Sequence, residues 1–335
     1  MDLKDFIIFI LLCAVLYYNM KWIKQGILNT VSYFFPLKID NYKMETDLSL
    51  VEKEQEVIQK YIDQYIDTNF KDSKLVEILL HITKGGKKVR PVIVTSIYKQ
   101  LSGSNEDTNE FIYEVASSIE YLHCASLVID DIMDGDEERR GKIATHIQYG
   151  INNSQIASII LSSLAIKKIF DCFQKLSQKE DNNKNLPFIV GQYIANMIQN
   201  IALGQYMDIN QSMNIDELIT NKTSSLFEYC FVMPWLVFNY NKDDDTINKG
   251  IHKMRKIGKK FGLIFQIADD FEDVKQDLLK CQTVNYVISN GVETSSHNFN
   301  RYIEKFNELA KKHNVLTPEI EQIIVYLTEK VNKIL

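Results

Sequence analysis

Leu127 to Gly141 reads LVIDDIMDGDEERRG, and Phe265 to Val274 reads FQIADDFEDV. Each stretch carries a long apolar run into three aspartates at positions i, i+1 and i+4: Asp130, Asp131 and Asp134 in the first, Asp269, Asp270 and Asp273 in the second. On a helix the first and third of such a set share a face and the second lies on the neighbouring row. Three carboxylates this close raise one another's pKa unless a cation sits between them. One such triplet reads as a solvated helix end. Two with the same geometry, each following core-like residues, are hard to attribute to solubility.

Working outward, the flanking segments keep the helical period. Leu50, Val51, Val57, Ile58, Tyr61, Ile62, Tyr65 and Ile66 recur at threes and fours among charged residues. Polar breaks fall at 101–110, 177–185, 239–250 and 289–298, and no strand alternation, βαβ order or fixed-period repeat appears between them. The pattern predicts an all-α protein, one large bundle of about ten helices. Of the 335 residues 45% are hydrophobic and 24% charged, a folded composition, and the net charge of −6 argues against nucleic acid as a partner. The five cysteines, Cys13, Cys124, Cys172, Cys230 and Cys281, form no C-x-x-C pair, which suggests neither a zinc site nor a secreted disulfide framework.

The first 35 residues form a separate object. Phe6 to Tyr18 is the unbroken apolar run FIIFILLCAVLYY, and no charge follows until Lys21. A membrane span needs about 20 such residues, so span, interfacial anchor and core helix all fit. The leading Asp2, Lys4 and Asp5 and the lack of an A-x-A site argue against a cleaved signal. Lys21 and Lys24 place the body of the protein on the cytosolic side, at an endoplasmic-reticulum-type membrane if the chain is eukaryotic. The expected layout is a hydrophobic anchor helix over 1–35, a linker over 36–46 and a helical domain over 47–335.

Oxygen-rich ligand sets suit hard cations, and magnesium is held by a few carboxylates together with waters and substrate phosphates. The implied substrate is a polyphosphate ester. Carboxylates alone repel a diphosphate, so cationic side chains should stand nearby. Arg139 and Arg140 follow the first triplet, and GGKKVRP supplies Lys87, Lys88 and Arg90 after two glycines that let the backbone bend close to a ligand.

With these residues in place, the chain resembles the trans-isoprenyl diphosphate synthase family. GGKKVRP, LHCASLVIDDIMDGDEERRG, GQYMD (Gly204 to Asp208), NKT (Asn221 to Thr223) and FQIADDFED stand in the family's order over about residues 45–277, and His123 to Gly141 looks most like the eukaryotic-type geranylgeranyl diphosphate synthases. The resemblance implies the isoprenoid synthase fold, a homodimer, and a magnesium-dependent joining of isopentenyl diphosphate to an allylic diphosphate. It assigns Asp130, Asp131, Asp134, Asp269, Asp270 and Asp273 to the metal, three ions once substrate is bound, and Arg139 and Lys222 to the allylic diphosphate. Lys87, Arg90, His123 and Arg140 match positions for the diphosphate of isopentenyl diphosphate, while Thr223 and Gln266 would turn oxygen dipoles toward an allylic cation. Ala125 and Ser126, one turn before Asp130, are small where bulky aromatics stop family members at fifteen carbons. Twenty carbons are therefore expected, made from farnesyl diphosphate, with Tyr121 and Leu122 as possible floors of the tail channel.

Two departures stand out. The family's D-L-x-E-G-K segment reads YVISNGVETS here, with Val292 in the lysine's place and Lys275 or Lys280 as candidate substitutes, and Ile143 replaces the proline of RRG-x-P. Alternatives are a synthase making fifteen-carbon or longer chains, an inactive regulatory subunit, a terpene cyclase, and a membrane-anchored helical adaptor. The intact pair of triplets argues against the last, and GGKKVRP against the cyclase.

Overall fold

The computed structural model describes residues 47–103, 110–178, 183–210, 214–279 and 284–335. The expected anchor helix, its linker, Cys13, Lys280 and Cys281 lie outside the described residues. Among those described, no helix is long and apolar enough to cross a membrane, and Cys124, Cys172 and Cys230 are free and buried.

Among the described residues the fold is helical apart from one short hairpin. It runs α1 (Ser49–Asn69), α2 (Ser73–Thr83), α3 (Val89–Ser102), α4 (Glu110–Asp134), a two-residue hairpin β1 (Glu138–Arg139) and β2 (Lys142–Ile143), α5 (Thr145–Tyr149) and α6 (Ile151–Ser177). There follow α7 (Leu186–Ile209), α8 (Ile215–Ile219), a π-helical turn Thr220–Ser224, α9 (Ser225–Phe238), α10 (Asp244–Leu279), α11 (Tyr286–Asn290), α12 (Val292–Lys312) and α13 (Pro318–Ile334). Apart from the single turns α5, α8 and α11, these are the ten helices the polar breaks predict. Local chemistry sets several ends. Asp72 caps α2 by accepting from the Leu75 amide, Gly103 closes α3 in the left-handed region, and Thr317 caps α13 with Pro318 behind it.

The sequence SLFEYCFVMPWLVF of α9 is apolar on nearly every face and is buried on nearly every face, as a central helix must be. Helices α3, α4, α7 and α10 pack around it. Phe227 and Phe231 of α9, Phe261 of α10 and Phe306 of α12 form a run of tilted and edge-on rings. One continuous core extends from Val51 to Val331. Both acid triplets stand at one end of this bundle. The first closes α4, but the second sits inside α10, which continues to Leu279. Its acids are not a helix terminus, so the helix carrying them is fixed by packing on both sides.

Candidate active site

The π turn between α8 and α9 is the point where the two triplets meet. It carries Lys222 and Thr223. Lys222 bonds Asp208 of α7 and lies 3.5 Å from Asp130. Thr223 donates to the Gln266 side-chain oxygen at 2.6 Å, and the Gln266 amide donates to Asp270 at 2.7 Å. A polar chain thus runs Asp130, Lys222, then Thr223, Gln266, Asp270 across the mouth of the bundle. Close backbone approach makes it possible. A Cβ on Gly204 of α7 would lie 2.3 Å from the Lys222 nitrogen, and one on Gly262 of α10 would lie 2.7 Å from the Ser224 Cα.

The carboxylates are held at elevated pKa. Burial raises Asp130 and Asp134, against the pull of Lys222. Burial pushes Asp270 up to about 7, although the Tyr286 amide and Gln266 donate to it and favour its charged form. Asp273 reaches about 6, by desolvation and then by the charges of Asp277, Asp269 and Glu272. Its side chain is exposed at the mouth of the bundle, beside these carboxylates. Among the described residues no three donor side chains converge tightly enough to cage an ion unaided. Magnesium fits such a set because it takes one or two carboxylates per ion and completes its shell with phosphate oxygens and water.

The cations sit where the sequence motifs lead. Arg139 donates through Nε to Asp131 at 2.6 Å and through NH2 to Asp136 at 3.1 Å. The hairpin's two-residue turn is Arg140-Gly141, with φ of 56° and 71°, the positive values a type I′ turn requires. Arg140 thereby folds back over the GGKK loop, donates to the Gly85 carbonyl at 3.3 Å and lies 3.7 Å from Glu120. Lys88 also has positive φ, and its ammonium bonds the Thr83 and Gly85 carbonyls and approaches buried Glu120 at 3.5 Å. Lys88 therefore fastens the loop, while Lys87 stands outside it. Such strained positions cost about 1–3 kcal/mol each and persist where the surroundings over-determine them.

Arg90 lies over the Phe227 ring at 4.5 Å and donates from NH1 to His123 Nε2 at 3.2 Å, leaving its buried Nε without a partner. Burial, then Arg90 and Arg140, hold the His123 pKa well below the ordinary value, so the ring is neutral and free to accept from Arg90. Beneath the first triplet lies a cavity of about 570 Å³ lined by Leu122, Ala125, Ser126, Ile129, Ile198 and Leu226, with Asp130, Lys222 and Thr223 at its rim. Tyr121 does not line it. That side chain is fully buried toward Tyr65 and Glu114. Lys275 is exposed, and Val292 packs against the core.

Four residues that motif reading left without a role belong to the site: Glu120, Asp208, Asn285 and Lys330. Asn285 donates to the Asp270 carbonyl and to Asp277, both at 2.9 Å. Lys330 of α13 bonds Asp269 at 2.8 Å and also Glu272. The signal for Lys330 was a lysine within the apolar stripe Ile320, Ile323, Ile324, Leu327, Val331, which only a buried anion justifies.

Two acid triplets, a cationic loop and an apolar cavity below the first triplet thus make up the candidate site. The polyprenyl synthetase family model matches residues 72–283. A short chain isoprenyl diphosphate synthase of Methanocaldococcus jannaschii is 28% identical over 70% of this chain and 66% of its own length. A geranylgeranyl diphosphate synthase of Sulfolobus acidocaldarius is 30% identical over 74% of this chain and 68% of its own. The crystal structure of a geranyltranstransferase from Thermotoga maritima superposes with a TM-score of 0.67 at 24% identity, covering 84% of this chain and 98% of that one. The first of these relatives is thus matched over slightly less than two thirds of its length. The chain belongs to the polyprenyl synthetase family.

Proposed function

We propose that the protein joins isopentenyl diphosphate to an allylic diphosphate in a magnesium-dependent reaction and releases a twenty-carbon product made from farnesyl diphosphate. The observation that carries this is the polar chain from Asp130 to Asp270 beside the apolar cavity, which suits a diphosphate at the acids and its tail below. Bound magnesium would neutralise the departing diphosphate. Arg139 and Lys222 supply further positive charge to that group. Thr223, which lines the cavity, and Gln266, which accepts its hydrogen bond, would turn oxygen lone pairs toward an allylic cation. Lys87, Arg90 and Arg140 hold the second diphosphate, with His123 as a neutral acceptor that orients Arg90. The protein supplies no nucleophile, since the double bond of isopentenyl diphosphate is one.

The cavity of about 570 Å³, with its mainly apolar walls, offers room for a long hydrocarbon tail. Incubating the full-length, detergent-solubilised chain with isopentenyl diphosphate and dimethylallyl, geranyl or farnesyl diphosphate, in magnesium or EDTA, tests the reading. A magnesium-dependent twenty-carbon product is expected. If no starter is elongated by folded protein, the regulatory-subunit reading takes its place.

We further infer a homodimer and membrane attachment through residues 6–23. Ile156 and Ile159 of α6 and Phe188 and Leu203 of α7 are exposed, an apolar face that a second copy would cover. Monomer mass in sedimentation, or recovery of the full chain in the soluble fraction of lysed cells, would refute the respective inference.

A further inference from the structure

The ammonium of Lys330 is only 8% exposed and stands between two carboxylates, Asp269 of the second triplet and Glu272. Burial weakens its hold on a proton, and the two anions more than restore it. The opposite side of this lysine faces Tyr326, one turn earlier on α13, with its nitrogen 5.6 Å from the ring centroid. Lys87, from the GGKK loop, rests on the same ring at 3.9 Å. Burial and then the charge of Lys330 lower the Lys87 pKa, so the two ammoniums repel across Tyr326. A cation thus occupies a metal-ligand aspartate on one side, and two cations converge on an aromatic platform on the other.

Resting on the functional reading above, we propose that Lys330 is a tethered counter-ion for the second triplet in the metal-free protein. A divalent cation arriving at Asp269 displaces it, and Lys330 turns onto Tyr326 to join Lys87 in holding the diphosphate of isopentenyl diphosphate. Filling the metal site then raises affinity for the second substrate, and by linkage the second substrate raises affinity for the metal. Lys330 is a positioning residue for the metal and a ligand for the substrate in turn.

The test uses full-length protein in detergent with no allylic partner, so nothing turns over. Magnesium alone is titrated by thermal melting, and isopentenyl diphosphate binding is measured by calorimetry in EDTA and in saturating magnesium. Lys330→Met should lower the half-saturating magnesium concentration on the order of tenfold, because the competing cation is gone. It should leave isopentenyl diphosphate affinity unchanged in EDTA and weaken it on the order of tenfold in magnesium. Lys330→Arg, which keeps the charge and can grip Asp269 and Glu272 with a forked head, should raise the magnesium midpoint. A merely structural lysine would not move the two midpoints in opposite directions. Midpoints that stay put or shift together overturn the proposal, as does an equal loss of substrate affinity with and without magnesium. If the Met variant does not fold, an unmoved or lowered midpoint in the Arg variant is sufficient to overturn it. Failure of wild-type protein to bind isopentenyl diphosphate at any magnesium level would sink the functional reading and the second half of the proposal, while the magnesium midpoints still decide the first half.

Discussion

At the scale of single residues, Asp270 governs how the site responds to pH. Its carboxyl stands at about 7 in the folded protein against an ordinary 3.8, chiefly because it is buried. The folded chain therefore holds a proton that the unfolded chain has released throughout that window. The stabilising contribution is complete below the lower value and is lost as pH rises toward the upper one, with a slope of up to about 1.4 kcal/mol per pH unit. In EDTA, Asp270→Asn should lack this slope, so wild type should lose melting temperature relative to the variant between about pH 4 and 7. Magnesium at pH 8 should raise the melting temperature of the wild type by more than that of the variant, which keeps the other five aspartates. Parallel melting curves for the two proteins across that range would contradict the account. The buried carboxyl accepts from two donors, the Gln266 side-chain amide and the Tyr286 backbone amide, while Asn285 donates to the backbone carbonyl of the same residue.

At the scale of elements, the site depends on how closely helices approach the π turn. Gly204→Ala would drive a methyl into the backbone of Lys222, which cannot yield as a flexible side-chain end could. We expect a stability loss of about 1–3 kcal/mol, and a fall in turnover of at least tenfold as Lys222 and Thr223 shift from the acids. Chemical denaturation paired with steady-state rates reads both; full activity in a stable Gly204→Ala protein would show that the approach is not needed. The helices themselves were legible, because α1, α4, α10 and α13 bury stripes whose period is in the sequence. So were both triplets and the GGKK loop. Lys330 and Glu120 were not, since each is a charge buried by contacts far away in sequence: Lys330 is 61 positions from Asp269, and Glu120 of α4 meets Lys88 of the GGKK loop and Arg140 of the hairpin. Tyr121 misled in the opposite direction. Proximity to Asp130 along α4 suggested the channel floor, but the turn of the helix aims it at Tyr65 instead.

At the scale of the whole molecule, the cavity belongs to no single helix. Its walls come from α4, α6, α7 and α9, and its mouth is closed by acids from α4 and the cationic π turn. Product length should therefore follow from the free depth of the bundle beneath Asp130 more than from the chemistry above it. Ser126 lines the upper cavity from α4, with its hydroxyl satisfied by the His123 carbonyl at 2.8 Å. Ser126→Phe would put a ring into that space and leave the acids, Lys222 and Gln266 where they are. The expected result is a shift of the main product from the proposed twenty carbons to fifteen or fewer, with farnesyl diphosphate becoming a poor starter while geranyl diphosphate keeps its rate within about threefold, a change under about 1 kcal/mol in the barrier. Chromatography of the products with each starter decides it. An unchanged twenty-carbon product would mean that the tail does not run past Ser126, and the cavity would lose its claim to measure chain length.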